Sequence, residues 1–300
     1  MFGFFANLFG YLLNFLYSFL NNYGLSIIVF TVIIKLLLLP LSIKQQRTMK
    51  KSAKIQEKMK IIQFKYKNNP EKMNQEMMNL YKNENMSPFS GCLTSIIQLL
   101  LLLSIFYLVR MPLTYMEKIP AENISNYTNQ LQEAGKLTGN AYPEIDVIRE
   151  YNWLKEQNPD DSNIDRVNIK MSFLGLDLSK VPQQNLNDFT VYIIPLLYIL
   201  STFISMKLTT SMQERIQKSK KDDKIIENNE TEKELTIKEE KDEIDTMMQT
   251  NKMMSWMMPI MSISIALIAP LGLALYWLVN NVLSIIERLV LDKTIKLEEE

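Results

Sequence analysis

The sequence predicts an all-α polytopic membrane protein with five transmembrane helices, an N-terminal interfacial amphipathic helix and a cytoplasmic helical hairpin. Three observations carry that expectation. Apolar runs of about 20 residues recur along the chain, the length that crosses a ~30 Å hydrocarbon core at 1.5 Å per residue. The mean hydropathy is only -0.05, with 47% hydrophobic and 22% charged residues, so the apolar runs alternate with wet segments. Those wet segments differ in charge, which gives the chain an orientation.

Residues 1–22 hold no Lys or Arg and lack a small-residue cleavage site, so retention is expected over removal as a signal peptide. Gly3, Asn7, Gly10, Asn14, Ser18 and Asn21 fall on one helical face, with Phe and Leu elsewhere. This suits a helix lying in the membrane interface, and the competing reading is a sixth span.

Residues 24–43 (GLSIIVFTVIIKLLLLPLSI) form the first span and carry a single charge, Lys35. A charge inside the hydrocarbon costs from about 2.5 to more than 10 kcal/mol, so it normally faces a wet cavity or a partner. Lys35 is therefore a candidate site; the alternative is snorkelling of its stem toward the headgroups beyond Ile43. Pro40 favours the site reading, because the backbone groups it frees must be satisfied by neighbouring helices or water.

Residues 44–90 are strongly basic and are expected in the cytoplasm. Met49, Ala53, Ile55, Met59, Ile62 and Tyr66 make one apolar helical stripe, and Met73, Met77, Leu80 and Tyr81 make a second. Asn69 and Pro70 between them suit N-cap and first-turn positions. The result is an antiparallel hairpin, on which Lys50, Lys51, Lys54 and Lys58 are candidate contacts for cytoplasmic partners or lipid headgroups.

Residues 91–110 form the second span, with Gln98 about two turns from its cytoplasmic end and Cys92 at the membrane edge as a small hydrophobe. Residues 111–188 reverse the charge balance, with twelve Asp and Glu against seven Lys and Arg, and are expected outside. The run Asp161 to Asp165 resembles the start of a calcium loop, but Arg166 stands where glycine is needed and Ser172 where the bidentate glutamate belongs. Residues 189–207 are the third span, and 208–252 a polar cytoplasmic connector with a mobile middle. Residues 253–269 and 271–291 are the fourth and fifth spans, joined at Pro270-Leu271-Gly272. Tyr276, Trp277, Asn280 and Asn281 place polar-capable groups in mid-span. Residues 292–300 are a short cytoplasmic tail.

Composition narrows the chemistry. There is no histidine and one cysteine, Cys92, which excludes an internal disulfide framework and nearly all zinc or haem chemistry. Lys+Arg and Asp+Glu are both 33, so global charge does not argue for nucleic acid, and no specific nucleic-acid motif occurs. There is no GxxxxGK[ST] phosphate loop, and a Ser-Lys pairing of Ser104 with Lys35 is the nearest approach to an activated nucleophile. No cofactor and no enzyme activity are expected.

With these residues in view, the chain resembles the YidC family of membrane protein insertases, in the five-span form typical of Gram-positive bacteria. The stretches YGLSIIVFTVIIKLLLLPLSIKQQ, SPFSGCLTSIIQ, FLGLDLSK and APLGLALYWLVNNVLSIIE carry the resemblance, in order and spacing. Lys35 stands where the family usually has arginine in its first span, keeping the charge without the planar fork. Thr94 stands where many relatives have proline, Ser205 where some have glutamine, and the short acidic tail replaces the long basic tails of some members.

The resemblance implies a hydrophilic groove, open to the cytoplasm and to lipid, that holds water and one positive charge. Its substrate-contacting residues would be Lys35, Gln98, Ser205, Tyr276, Trp277, Asn280 and Asn281. It further implies an insertase and chaperone of the bacterial plasma membrane that handles nascent membrane proteins. The Sec translocon, the ribosome, the signal recognition particle pathway and membrane lipids are candidate partners. The alternative class is a secondary transporter or other polytopic channel using the intramembrane lysine, which would require repeated halves with matching broken helices; none are found.

Overall fold

A computed structural model describes residues 2–84, 90–139, 141–225, 261 and 263–299; within these ranges no side chain is described at 2, 49, 52–54, 56, 57, 60, 64, 90–95, 98, 213–225 and 295–299. The described residues are overwhelmingly helical, in keeping with the all-α class, with one two-stranded ribbon among them. Four helical segments among them are long and apolar enough to cross a membrane: Gly3–Leu20, Tyr23–Thr48, Phe189–Met212 and Leu271–Thr294. Leu99–Arg110 is a shorter apolar helix. The expected fourth span falls largely outside the described residues, although 263–268 are helical.

The chain divides into two compact units, one made of residues 1–38, 97–202 and 262–284, the other of 39–96, 203–261 and 285–300. Helix α1 (Phe2–Leu20) opens the first unit. Helix α2 (Tyr23–Lys65) continues unbroken through Pro40, so the expected first span and the first arm of the hairpin are one element. The reason is local. Proline removes one i→i−4 bond, whereas the Lys, Gln, Arg, Met and Glu that follow are good helix formers. Helix α3 (Pro70–Asn83) starts on an Asn69 cap, whose Oδ1 accepts from Lys72 N at 3.1 Å. Helix α4 (Ser90–Arg110) leads into residues 111–188.

That acidic stretch is a packed layer. It contains α5 (Pro112–Tyr115), α6 (Ala121–Glu133), α7 (Pro143–Arg149), α8 (Tyr151–Gln157) and the ribbon β1 (Ser172–Phe173) with β2 (Leu176–Asp177). Leu113, Met116, Tyr127, Leu131, Val147, Leu154 and Val167 are buried. Several of its acids turn inward and are saturated with donors, as buried polar groups must be. Glu144 accepts from Thr114 N at 3.0 Å and Thr114 Oγ1 at 2.5 Å. Asp146 accepts from Thr138 N and Oγ1 at 3.0 and 2.7 Å and pairs with Arg149. Asp161 accepts from Tyr127 Oη, Asn123 Nδ2 and Asn163 N, at 2.5, 3.0 and 2.8 Å.

Helix α1 lies against this layer. Asn14 Nδ2 donates to the Met116 carbonyl at 2.8 Å, Lys118 Nζ donates to Asn7 Oδ1 at 2.6 Å, and Lys170 N donates to Tyr17 Oη at 2.8 Å. At Gly10 a Cβ would overlap the Tyr115 carbonyl. The polar stripe read from the sequence thus meets protein at Asn7, Gly10 and Asn14, while Phe4, Leu8, Tyr11, Phe15 and Phe19 form the exposed face. This inverts the simplest picture of an interfacial helix, whose polar face meets water.

Helix α9 (Ile193–Ile225) begins just after the layer and runs on through the first part of the expected connector. The rest of that connector, and its expected mobile middle, lie outside the described residues. Helix α10 (Leu271–Glu299) carries the expected fifth span and continues through the tail. In the second unit, Ile55 of α2 and Leu80 of α3 are buried, and Tyr81 Oη donates to Met59 Sδ at 3.8 Å.

Candidate functional site

The site is built on α2 and α10 within the first unit. Lys35 is half-buried, and its Nζ donates to Ser284 Oγ on α10 at 2.7 Å. Ser284 Oγ donates in turn to the Asn280 carbonyl one turn back, also at 2.7 Å. Bonds to a charged group are worth about 1.5–3 kcal/mol, so this chain fixes where the ammonium sits. Around Lys35, Ile34 is buried while Leu36 and Leu37 are 64% and 69% exposed, which puts lipid-compatible surface beside the charge.

The other face of α10 is a seam with α9. Trp277 and Tyr198 are both buried, with ring centroids 5.8 Å apart. Asn281 Nδ2 donates to Ser201 Oγ at 3.0 Å and Thr202 Oγ1 at 3.1 Å, and both hydroxyls donate to the Tyr198 carbonyl. Of the expected substrate-contacting set, Lys35 and Asn280 are therefore joined through Ser284. Trp277 and Asn281 are engaged by α9, where a small polar cluster acts as interhelical glue. Tyr276 is buried. The side chain of Gln98 lies outside the described residues.

In the second unit, the Ser205 carbonyl accepts from Thr209 Oγ1 at 2.8 Å and from Arg288 Nη1 at 3.4 Å, and Arg288 also bonds the Thr209 hydroxyl. Lys50 is buried and 3.4 Å from Asp292 Oδ1. Lys58 pairs with Glu84 at 2.7 Å, Lys51 is exposed, and the Lys54 side chain lies outside the described residues. The pairing of Ser104 with Lys35 does not form. Ser104 Oγ donates to the Leu100 carbonyl of its own helix at 2.7 Å, and the lysine turns to Ser284.

Ser284 and Arg288 were not singled out from the sequence. The signal was present: Asn280, Ser284 and Arg288 recur every fourth residue in a mostly apolar stretch and so share one face. Chemically, an ammonium held at a hydroxyl inside an apolar span attracts and hydrogen-bonds a carboxylate.

The family described as 60Kd inner membrane protein matches this chain over residues 15–299. A protein named membrane protein insertase YidC from Chlorobaculum parvum is 27% identical over 287 residues, covering 96% of this chain and 36% of that relative. One of the same name from Caldanaerobacter subterraneus is 43% identical over 101 residues, 34% of this chain and 49% of the relative. Another, from Clostridium perfringens, is 48% identical over 86 residues, 29% of this chain and 36% of the relative. The chain spans about a third of the length of the Chlorobaculum relative it matches almost end to end.

Proposed function

The chain belongs to the 60Kd inner membrane protein family, and from that premise we propose that it is a membrane protein insertase and chaperone, multi-pass in the bacterial plasma membrane. It moves hydrophobic segments of newly made proteins from the cytoplasm into the bilayer through a hydrophilic groove that carries the charge of Lys35. The observation that supports this reading is the Lys35–Ser284 bond inside two apolar helices. An acidic segment awaiting translocation is drawn to the ammonium and sheltered from hydrocarbon, while the adjoining apolar segment passes sideways into lipid. This transfer needs neither a covalent step nor a cofactor.

Residues 24–43, 91–110, 189–207, 253–269 and 271–291 are the five spans in this reading. Residues 44–90 and the C-terminus are cytoplasmic, 111–188 are outside, and 1–22 lie in the outer interface against that layer. The hairpin lysines Lys50, Lys51, Lys54 and Lys58 meet cytoplasmic partners, among which the Sec translocon, the ribosome and the signal recognition particle pathway are candidates. Asn280 and Gln98 line the client's path with Lys35 in this reading, and the contacts of Trp277 and Asn281 with α9 hold α10 beside it. In a Cys92→Ser background, an impermeant thiol reagent added outside labels Ser162→Cys and not Ser52→Cys. An Asn7→Cys reachable from the cytoplasm alone would make α1 a sixth span.

Rescue of an insertase-depleted bacterium tests the mechanism. Lys35→Arg restores growth; Lys35→Ala inserts a client with an acidic translocated segment about tenfold less well, the loss of one charge-assisted contact. Lys35→Glu is worse. Undiminished insertion by a well-expressed Lys35→Glu variant rules out the charged groove.

A further inference from the structure

The two helices that meet at Lys35 and Ser284 also share a support at their N-terminal ends. It is the β1–β2 ribbon with its flanks, Lys170 to Lys180. On one flank, Tyr23 N of α2 donates to the Lys170 carbonyl at 3.1 Å, and Asn22 Nδ2 donates to the Ser172 carbonyl at 2.8 Å. On the other, Gly272 N and Leu271 N of α10 donate to the carbonyls of Leu178 and Lys180, at 3.0 and 2.9 Å. Backbone donors at a helix start have no partner within the helix, so these bonds satisfy them and tie both helices to one object.

That object is stiff. The ribbon is paired Ser172 to Asp177 and Phe173 to Leu176, and it is prolonged by Leu178 N donating to the Met171 carbonyl at 2.9 Å. Its tip, Leu174-Gly175, has φ of 50° and 79°, the left-handed pair of a tight hairpin turn. Asp177 Oδ1 holds the next bend by accepting from Ser179 N and Oγ, at 3.0 and 2.6 Å. Contact with both helices is close. A Cβ at Gly24 would lie 2.6 Å from Phe173 Cβ, a clash that no rotation of the ring relieves, and one at Gly272 would lie in ordinary contact, 3.7 Å from the Leu178 carbonyl.

The spacing below the support is matched. Lys35 follows Tyr23 by 12 residues and Ser284 follows Leu271 by 13, rises of roughly 18 and 20 Å at 1.5 Å per residue. Two helices hung from one ribbon with equal drops bring these residues to the same depth. We propose that the Lys170 to Lys180 ribbon is a common hanger that sets the axial register of α2 against α10, and that Gly24 and Asn22 are positioning residues for Lys35. The inference deepens the proposed insertase reading, and it predicts a geometric effect that can be measured apart from insertion.

The test uses the full chain in membranes. Lys35→Cys with Ser284→Cys, in a Cys92→Ser background, is cross-linked by a short bismaleimide and quantified by mass spectrometry. Ser201→Cys with Asn281→Cys, across the α9–α10 seam, is the control pair, because Asn22 and Gly24 lie on neither of those helices. Gly24→Ala is expected to lower the 35–284 yield about tenfold, an overpacking effect, and to leave the control pair unchanged. Adding Phe173→Gly to Gly24→Ala restores the yield. Asn22→Ala, which loses the bond to the Ser172 carbonyl and the cap on Leu25 N at 3.0 Å while adding no volume, lowers it about threefold. If Gly24→Ala fails to accumulate, Asn22→Ala decides alone.

An unchanged 35–284 yield in Asn22→Ala and in any accumulating Gly24→Ala overturns the hanger, as does a parallel loss at the control pair. With Lys35 and Ser284 native, Gly24→Ala should also insert the acidic client less well. A lowered cross-link with normal insertion would keep the hanger and discard the charged groove.

Discussion

The polar layer of residues 111–188 and the hairpin of α2 with α3 are both made of amphipathic helices, yet they are held in different ways. In the layer, Glu144, Asp146 and Asp161 each gather donors from residues apart in sequence, over fully buried apolar side chains. Among the described side chains, the hairpin buries Ile55 and Leu80 and adds a thioether contact at Met59 and an exposed Lys58–Glu84 pair. Hydrogen bonds to buried carboxylates specify one geometry, whereas methionine and lysine contacts tolerate several.

The contrast breaks first at the apolar contacts. Leu154→Ala removes a side chain with 0% exposure and is expected to destabilise the layer by about 2–5 kcal/mol, seen as early proteolysis within 111–188 on heating in micelles. Leu80 is 9% exposed in a two-helix contact, so Leu80→Ala should fall at or below the bottom of that range. Equal losses would mean the hairpin is as firmly specified as the layer.

A smaller effect sharpens the same comparison through pH. Lys180 and the Thr190 hydroxyl and amide beside Asp188 hold its carboxyl down to about 2. Its contribution is thus complete above the ordinary 3.8 and is lost as pH falls toward about 2. Burial raises Glu144 against the opposing bonds from Thr114, so its contribution has the opposite sign, present at low pH and lost as pH rises through the raised value. Asp188→Asn should flatten the acid limb of the layer's stability curve between about 3.8 and about 2, followed by the fluorescence of Trp153 with Trp256 and Trp277 replaced by Phe. An acid limb unchanged by this substitution would remove Asp188 from the account.

Lys35 was legible because one cation in an apolar run is conspicuous at any register. Its partner was not, since a serine in an apolar helix reads as a small packing residue and the contact joins positions 249 apart. The Asn69 cap and the two hairpin stripes were legible because their causes are local. The layer was read only through its charge. Nothing in the spacing of Glu144 and Asp146 tells that acids on a short helix turn inward, or that Asp161 gathers donors in a loop, because donors such as Thr114 and Tyr127 come from elsewhere in the chain. The helix that carries the first span runs on through Pro40 and Lys44, where composition changes abruptly and the backbone does not.

The contact between Asn14 and the Met116 carbonyl sets an order of events in time. Its partners lie 102 residues apart, and synthesis proceeds at roughly 5–20 residues per second, so α1 waits about 5–20 s before its seat exists. During that interval its aromatic face can already settle among lipid tails, while Asn7, Gly10 and Asn14 have only water and headgroups to meet. If α1 lies in the interface as proposed, it is captured there only when residues 112–118 arrive to meet Asn7, Gly10 and Asn14.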